Sequence, residues 1–253
     1  MPRFVKYTFS GRVVEIERYS STEGGKRARR APREDVTTEE MERLNEKNAQ
    51  KRLERLINAN FLEGDLFVTL TYPKNGGITL AEAQKKLSNF LRTLRRFRRS
   101  GGLEELKYIS ATESAGHIHH HVITNRMSWD DIKSLWPHGR VHISGLYPDE
   151  EREYGALAEY LLKETAGKKK EQRSSFRRWT SSRNLIKPIE IRERARPFNA
   201  LRPPREVSGI EKGMKKYAGH RVMYWETRSS QMGDYQYVRL LKYDDKAKPL
   251  RPG

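Results

Sequence analysis

The sequence predicts an α+β protein, an antiparallel sheet of four or five strands with helices on one face in a ferredoxin- or RRM-like arrangement. Short apolar runs with strand character recur at 66–72, 106–112, 116–124 and 139–143. Helical spacing fills the intervals at 79–98, 129–136 and 148–165, giving the order βαββαβ followed by a helix. The chain has 253 residues, of which 35% are hydrophobic and 33% charged, so the core is expected to be compact beneath a highly charged surface.

In chain order, Lys6–Ile16 alternates well enough for a strand or short hairpin, and 19–34 reads as a basic loop. Thr37 and Glu40 form a capping-box pattern for a helix reaching about Asn58. Leu66–Tyr72 is the clearest strand, ended by Pro73 and a Gly76-Gly77 turn. Thr79 with Glu82 repeats the capping-box pattern, and Ala83, Leu87, Phe90, Leu91 and Leu94 follow at helical spacing. The strands around Ser114-Ala115-Gly116 suggest one hairpin. Pro188, Pro197, Pro203 and Pro204 mark an extended linker, and Arg221–Glu226 with Tyr235–Leu241 suggest a small C-terminal β element. The expected division is 1–60, a basic segment and helix; 61–190, the central domain; and 191–253, the linker and β element.

Lysine and arginine number 51 against 33 acids, a net charge of +18, which favours a polyanionic partner, most simply nucleic acid. The absence of cysteine excludes disulfides, thiolate metal sites and cysteine nucleophiles. No apolar run approaches the ~20 residues of a membrane span, and no secretory signal is visible, so a cytoplasmic protein without a membrane partner is expected. Arg95, Arg96 and Arg99 close one helix, and Lys168, Lys169, Arg177, Arg178, Trp179 and Arg183 interleave charge with an aromatic ring. That mixture suits single-stranded DNA, with charge for the backbone and rings for the bases.

Four of the seven histidines fall in Gly116-His117-Ile118-His119-His120-His121. On a strand, His117, His119 and His121 share a face, so His119 and His121 are spaced to take one metal ion. Glu113 is the candidate oxygen ligand, and a carboxylate beside imidazoles shifts the preference toward Mg²⁺ or Mn²⁺. A solvated edge or hydrogen-bonded surface histidines would give the same letters. In the helix after Pro148, Tyr154, Leu157, Ala158 and Leu161 form the apolar face, whereas Tyr160 and Lys163 lie on a flank. Tyr160 is therefore available as a nucleophile toward phosphorus. Lys163 would lower the phenol pKa, neutralise phosphate charge or contact the DNA backbone.

His119-His120-His121, with Gly116 before it and Val122-Ile123 after, resembles the His-hydrophobic-His motif of the HUH endonucleases. Phe67-Val68-Thr69-Leu70-Thr71 is similar to the strand motif that precedes it in rolling-circle Rep proteins, and Tyr160-Leu161-Leu162-Lys163 to their Tyr-x-x-Lys motif. Asn58-Ala59-Asn60-Phe61 and Trp179–Leu185 also resemble replication-associated proteins of bacterial phages and mobile elements, so the likeness covers most of residues 40–190. One departure is His120, where the family carries a bulky aliphatic residue, and His117-Ile118-His119 is an alternative in-frame match. The glycine three residues before His119 and the apolar run after His121 favour His119 and His121, with His117 a spare ligand or a phosphate contact. The resemblance implies that residues 61–190 have the HUH fold, with His119, His121 and Glu113 on Mg²⁺ or Mn²⁺. It also implies nicking of single-stranded DNA at a replication origin hairpin through a 5′-phosphotyrosine at Tyr160, in a bacterial host cell. The sequence has no Gly-x-x-x-x-Gly-Lys-Ser/Thr loop, so a host helicase is the expected unwinding partner and a polymerase the user of the free 3′ end. The alternatives are a non-catalytic single-stranded DNA- or RNA-binding protein, and a transposase or relaxase sharing the same site.

Overall fold

The computed structural model describes residues 3–20, 39–74, 77–114, 116–149, 152–164, 178–230 and 233–243. The chain divides into two compact units, one made of 49–186 and the other of 1–48 with 187–253.

The first unit is built on a five-stranded antiparallel sheet. Its strands are β3 (Leu66–Thr71), β4 (Tyr108–Glu113), β5 (His119–Thr124), β6 (Val141–Gly145) and β7 (Trp179–Ser181), in the order β6-β3-β5-β4-β7. Alternation along β3 sorts its residues by face. Leu66, Val68 and Leu70 are buried with Ala83, Leu87, Phe90, Leu91 and Leu94 of α2 (Leu80–Ser100) and with Ile132 of α3 (Trp129–Ser134). Phe67 points the other way, into a cluster of Leu53, Ile57 and Phe61 at the end of α1 (Glu39–Asn60) with Ala158, Leu161 and Leu162 of α4 (Gly155–Glu164).

The α+β class and the antiparallel sheet agree with the sequence reading, but helices cover both faces rather than one. The reason is that β4 and β5 carry apolar residues on both sides: Ile109, Ala111 and Ile123 face α1 and α4, while Val122 faces α2. The Thr79 capping box is formed, with the Glu82 amide donating to Thr79 Oγ1 and the Thr79 amide donating to the Glu82 carboxylate. The Thr37 cap lies outside the described residues. The helix expected at 148–165 is confined to 155–164, because Asp149 and Glu153 pair backbone to backbone and Glu153 has φ 54°.

The second unit joins both ends of the chain in another five-stranded antiparallel sheet. Strands β1 (Arg3–Ser10), β2 (Val13–Ser20), β8 (Ile189–Arg194), β9 (His220–Ser230) and β10 (Gly233–Lys242) lie in the order β8-β1-β2-β10-β9. The N-terminal strands and the C-terminal β element therefore belong to one unit rather than to separate segments. A lone two-stranded hairpin is marginal in water, and pairing β2 with β10 gives each hairpin the neighbour it lacks. The prolines from Pro188 on mark a linker in the sequence, but the structure forms strand β8 there; its Ile-Glu-Ile-Arg-Glu-Arg sequence is mostly charged because it is an edge strand. One face of this sheet buries Val5, Tyr7, Val14, Ile16, Val238 and Leu240 against Val207 of α5 (Arg205–Glu211) and Tyr217. At its margin Arg18 donates two hydrogen bonds to Glu206. Burial raises the Glu206 carboxyl pKa, but the hydrogen bonds and charge of Arg18 outweigh it and leave the group below its usual range.

Phe61 is 1% exposed and fills the junction of α1, α4 and the sheet. Phe61→Ala is expected to cost about 3–5 kcal/mol in urea unfolding, whereas Leu62→Ala, at a residue 72% exposed, should change stability by roughly 0.5 kcal/mol or less.

Candidate metal and tyrosine site

The antiparallel pairing of β4 with β5 sets Glu113 opposite His119 and Ala111 opposite His121, while β3 sets Thr69 opposite His121. Every second residue of these strands faces α4, so Phe67, Thr69, Glu113, His119 and His121 share one surface. Glu113 Oε2 lies 2.9 Å from His119 Nε2, and the two Nε2 atoms lie 3.1 Å apart. Among the described residues, these three are the group whose donor atoms, all within 4.8 Å of one another, could hold a metal ion.

What stands behind each ring determines what its Nε2 can offer. His119 Nδ1 is 2.9 Å from the His117 carbonyl oxygen, which only accepts, so Nδ1 carries the proton. His121 Nδ1 is 3.2 Å from Thr69 Oγ1. In neutral His119 the Nε2 lone pair therefore faces a carboxylate oxygen and a second imidazole nitrogen at hydrogen-bonding distance. With their Nε2 atoms unprotonated, two imidazoles and a carboxylate aimed at one point are a donor set for a divalent cation. The set thus fits a metal ion, with His119 oriented through a backbone carbonyl as metal-binding histidines commonly are.

His117 stands apart from this set. It is exposed, its Nε2 is 2.8 Å from the Tyr72 carbonyl oxygen, and it reaches the site only through its own carbonyl. His120 points to the opposite face and is fully buried. Its Nε2 lies 2.8 Å from the Tyr72 hydroxyl and its Nδ1 2.9 Å from Thr112 Oγ1, while the Tyr72 hydroxyl donates to the Ala83 carbonyl. A neutral ring with its proton on Nε2 satisfies this chain of bonds. Burial pushes the His120 pKa down to about 4, so the ring behaves as a neutral core residue where an aliphatic one was expected.

Helix α4 brings Tyr160 to the cluster. Its hydroxyl lies 3.5 Å from His121 Nε2, and the residue is 41% exposed. Phe67 stacks on the His121 ring at 5.3 Å between centroids and meets the Tyr160 ring edge-on at 6.2 Å, so one side chain buttresses both. Phe67 and Thr69 belong to the strand motif that resembles the Rep proteins but carry no site role in the sequence reading; the burial of Leu66, Val68 and Leu70 implies that the residues between them face the site. Tyr154 is buried and packs in the α1–α4 cluster, as its place on the apolar face suggests. The Lys163 ammonium lies 2.9 Å from Glu159, which also accepts from Arg152 at 3.2 Å. Hydrogen bonds from Lys163 and then Arg152 hold the Glu159 carboxyl below its usual range.

The basic residues fall elsewhere on this unit. Arg95 and Arg183 line a common cavity with Tyr108 and Asn184. Tyr108 begins β4 and Glu113 ends it, so the cavity is roughly 17 Å along the strand from the cluster. Arg96 and Arg99 are exposed, and Arg178 is half-buried. Trp179 is half-buried and packs against the α1–α4 core, which occupies part of its ring. Lys168, Lys169 and Arg177 lie outside the described residues.

Residues 65–165 match the family described as replication-associated protein ORF2/G2P. The matched span runs from one residue before β3 to one residue after α4, and so contains Glu113, His119, His121 and Tyr160. The match supports a replication-associated function. No curated protein matches the chain. In structure the chain is similar to the hypothetical protein ORF119 from Sulfolobus islandicus rod-shaped virus 1, with 14% identity and a TM-score of 0.32. That likeness covers 47% of this chain and 96% of the viral one, and at this level it carries no argument. Among the described residues no helix is long and apolar enough to cross a membrane.

Folded His120 titrates near 4 and an unfolded histidine near 6.5, so between these values the unfolded chain binds the additional proton. Stability is therefore expected to fall as pH drops through that window, with His120 contributing on the order of 3 kcal/mol of the change. Melting curves of wild type and His120→Gln across pH 4–7 should converge at the acid end.

Proposed function

We propose that this protein is a replication-associated, metal-dependent nickase and strand transferase of single-stranded DNA, of the HUH type, which initiates rolling-circle replication through a 5′-phosphotyrosine at Tyr160. The observation that carries the reading is a half-exposed tyrosine hydroxyl 3.5 Å from a histidine whose neighbours form a cation-seeking donor set. The family match supports the replication role, and the HUH resemblance supplies the 5′ polarity.

Glu113, His119 and His121 would hold Mg²⁺ or Mn²⁺, which when bound supplies Lewis-acid polarisation of a phosphodiester oxygen. The remaining chemistry belongs to the chain. The edge-on contact with Phe67 and anchoring on α4 fix the Tyr160 ring, so its attack on a phosphate seated at the cluster loses little orientational freedom. A bond forms between Tyr160 Oη and phosphorus while the phosphorus–O3′ bond breaks. The phenolic proton passes to water, which reaches the exposed side of the ring, and the departing 3′ oxygen takes up a proton. The phosphotyrosyl bond keeps the energy of the broken one, so attack by a later 3′-hydroxyl reseals the strand and frees the tyrosine. A polymerase would extend the 3′ end in between, with unwinding supplied by a host helicase. Lys163, bound to Glu159, acts by adding charge near the phosphate, and exchange of that partner for DNA would place it there.

A purely non-catalytic nucleic-acid-binding protein accounts for the charge but leaves the converging donors beside Tyr160 without a purpose.

With labelled single-stranded DNA bearing candidate origins and Mn²⁺, a covalent band on a denaturing protein gel is expected. It should disappear with EDTA and in Tyr160→Phe and persist in Tyr154→Phe; an adduct surviving in Tyr160→Phe would remove that residue from the role. In calorimetric titration, Glu113→Ala should weaken Mn²⁺ binding by tenfold or more, and an unchanged affinity would exclude Glu113 as a ligand.

A further inference from the structure

The unit formed by 1–48 and 187–253 contains a cavity of about 530 Å³ that the proposed nicking reaction does not use. Five arginines, Arg18, Arg194, Arg196, Arg202 and Arg205, line it together with Phe198, and no carboxylate is among its lining residues. Its size is within the roughly 300–1,000 Å³ of pockets that hold a small ligand or one residue of a polymer. Beneath it Glu206 accepts from Arg18 at 2.9 Å and from Arg205 at 3.2 Å, so two of the five charges are partly balanced. Arg194, Arg196 and Arg202 are exposed and form no ion pair among the described residues. The loop that carries two of them is fixed: buried Gln236 donates to the Asn199 and Arg202 carbonyls at 2.9 and 3.1 Å. Uncompensated guanidinium groups on a braced loop, beside an aromatic ring and two prolines, combine anion recognition with an apolar surface.

We infer that this cavity is a second nucleic-acid site, in which Arg194, Arg196 and Arg202 hold the phosphates of a single DNA strand and Phe198 stacks on one of its bases. An isolated small anion would suit a closed pocket. Three exposed arginines with no carboxylate among the lining residues suit the repeated charge of a phosphate backbone, and the net charge of +18 favours a polymeric partner. The site is independent of the nicking centre, and it would hold a strand whether or not Tyr160 reacts.

The test is fluorescence anisotropy of labelled oligothymidylate with the full chain in EDTA, where no metal-dependent cleavage occurs, over a range of salt concentrations. The triple variant Arg194→Ala, Arg196→Ala, Arg202→Ala is expected to bind tenfold or more weakly, with the slope of log affinity against log salt shallower by about 2. Phe198→Ala should weaken single-strand binding about five-fold or more and leave binding of a duplex unchanged. The control Lys212→Ala, Lys215→Ala, Lys216→Ala removes the same charge from exposed positions of the same unit and should have a smaller effect. Equal losses in the two triple variants, or wild-type affinity and slope in the arginine variant, would overturn the proposal; wild-type affinity in Phe198→Ala would overturn the base contact. Failure to form a covalent adduct elsewhere would leave these results as they stand.

Discussion

The register between β4 and β5 is the constraint on which the candidate site depends. It places Glu113 opposite His119 and Ala111 opposite His121, so that a carboxylate and two imidazoles converge from adjacent strands. Because strand side chains alternate, slipping this pairing by one residue would turn the whole set over, sending His119 and His121 into the α2 core and His120 toward α4. The register is held by packing away from the site. Ile109 and Ile123 are fully buried against α1 and α4, and Val122 is buried against α2, so the strand pair is pinned from both faces.

The same alternation gives three consecutive histidines different chemistry. His119 and His121 meet polar groups and the half-exposed Tyr160, whereas His120 is enclosed by Tyr72, Trp136 and Thr112. A hydrogen bond to each of its nitrogens lets His120 occupy a core position, since a buried polar ring is costly only when left unpaired. Tyr72 shares that environment, and burial pushes its phenol well above the ordinary range. It serves as a hydrogen-bonding strut, in contrast to Tyr160, whose ring remains open to solvent.

Much of the unit containing the site was legible in the sequence because its signals are local. Alternation in Leu66–Thr71, the Thr79–Glu82 capping box and the apolar stripe of α2 each fix an element without reference to distant residues. Spacing put Glu113, His117, His119 and His121 on one strand face and Tyr160 off the apolar face of its helix, and the family resemblance selected His119 and His121 among the histidines. The supporting contacts were less legible, since the Phe67 stack and the pairing of Lys163 with Glu159 depend on how α4 lies on the sheet. The second sheet was read only in fragments: charged edge strand β8 carries little apolar signal, and nothing local to Val13–Ser20 announces Gly233–Lys242 as its neighbour. Arg18 and Glu206, which form a buried ion pair, look like ordinary surface charges until the two ends of the chain meet.

That meeting of the ends has a consequence for the order in which the protein is made. The unit of 49–186 is a continuous stretch, so all its strands and helices have been synthesised before strands β8, β9 and β10 exist. The other sheet joins residues as far apart as Glu15 and Tyr237, 222 positions along the chain, and cannot close until Gly233–Lys242 has been synthesised. Until then β1 and β2 are a hairpin with an unpaired edge, which makes the N-terminal segment the part of the nascent chain most exposed to wrong partners. Closing so long a loop also slows folding, so the continuous unit should acquire its structure first and the sheet that joins Arg3–Ser20 to Gly233–Lys242 last.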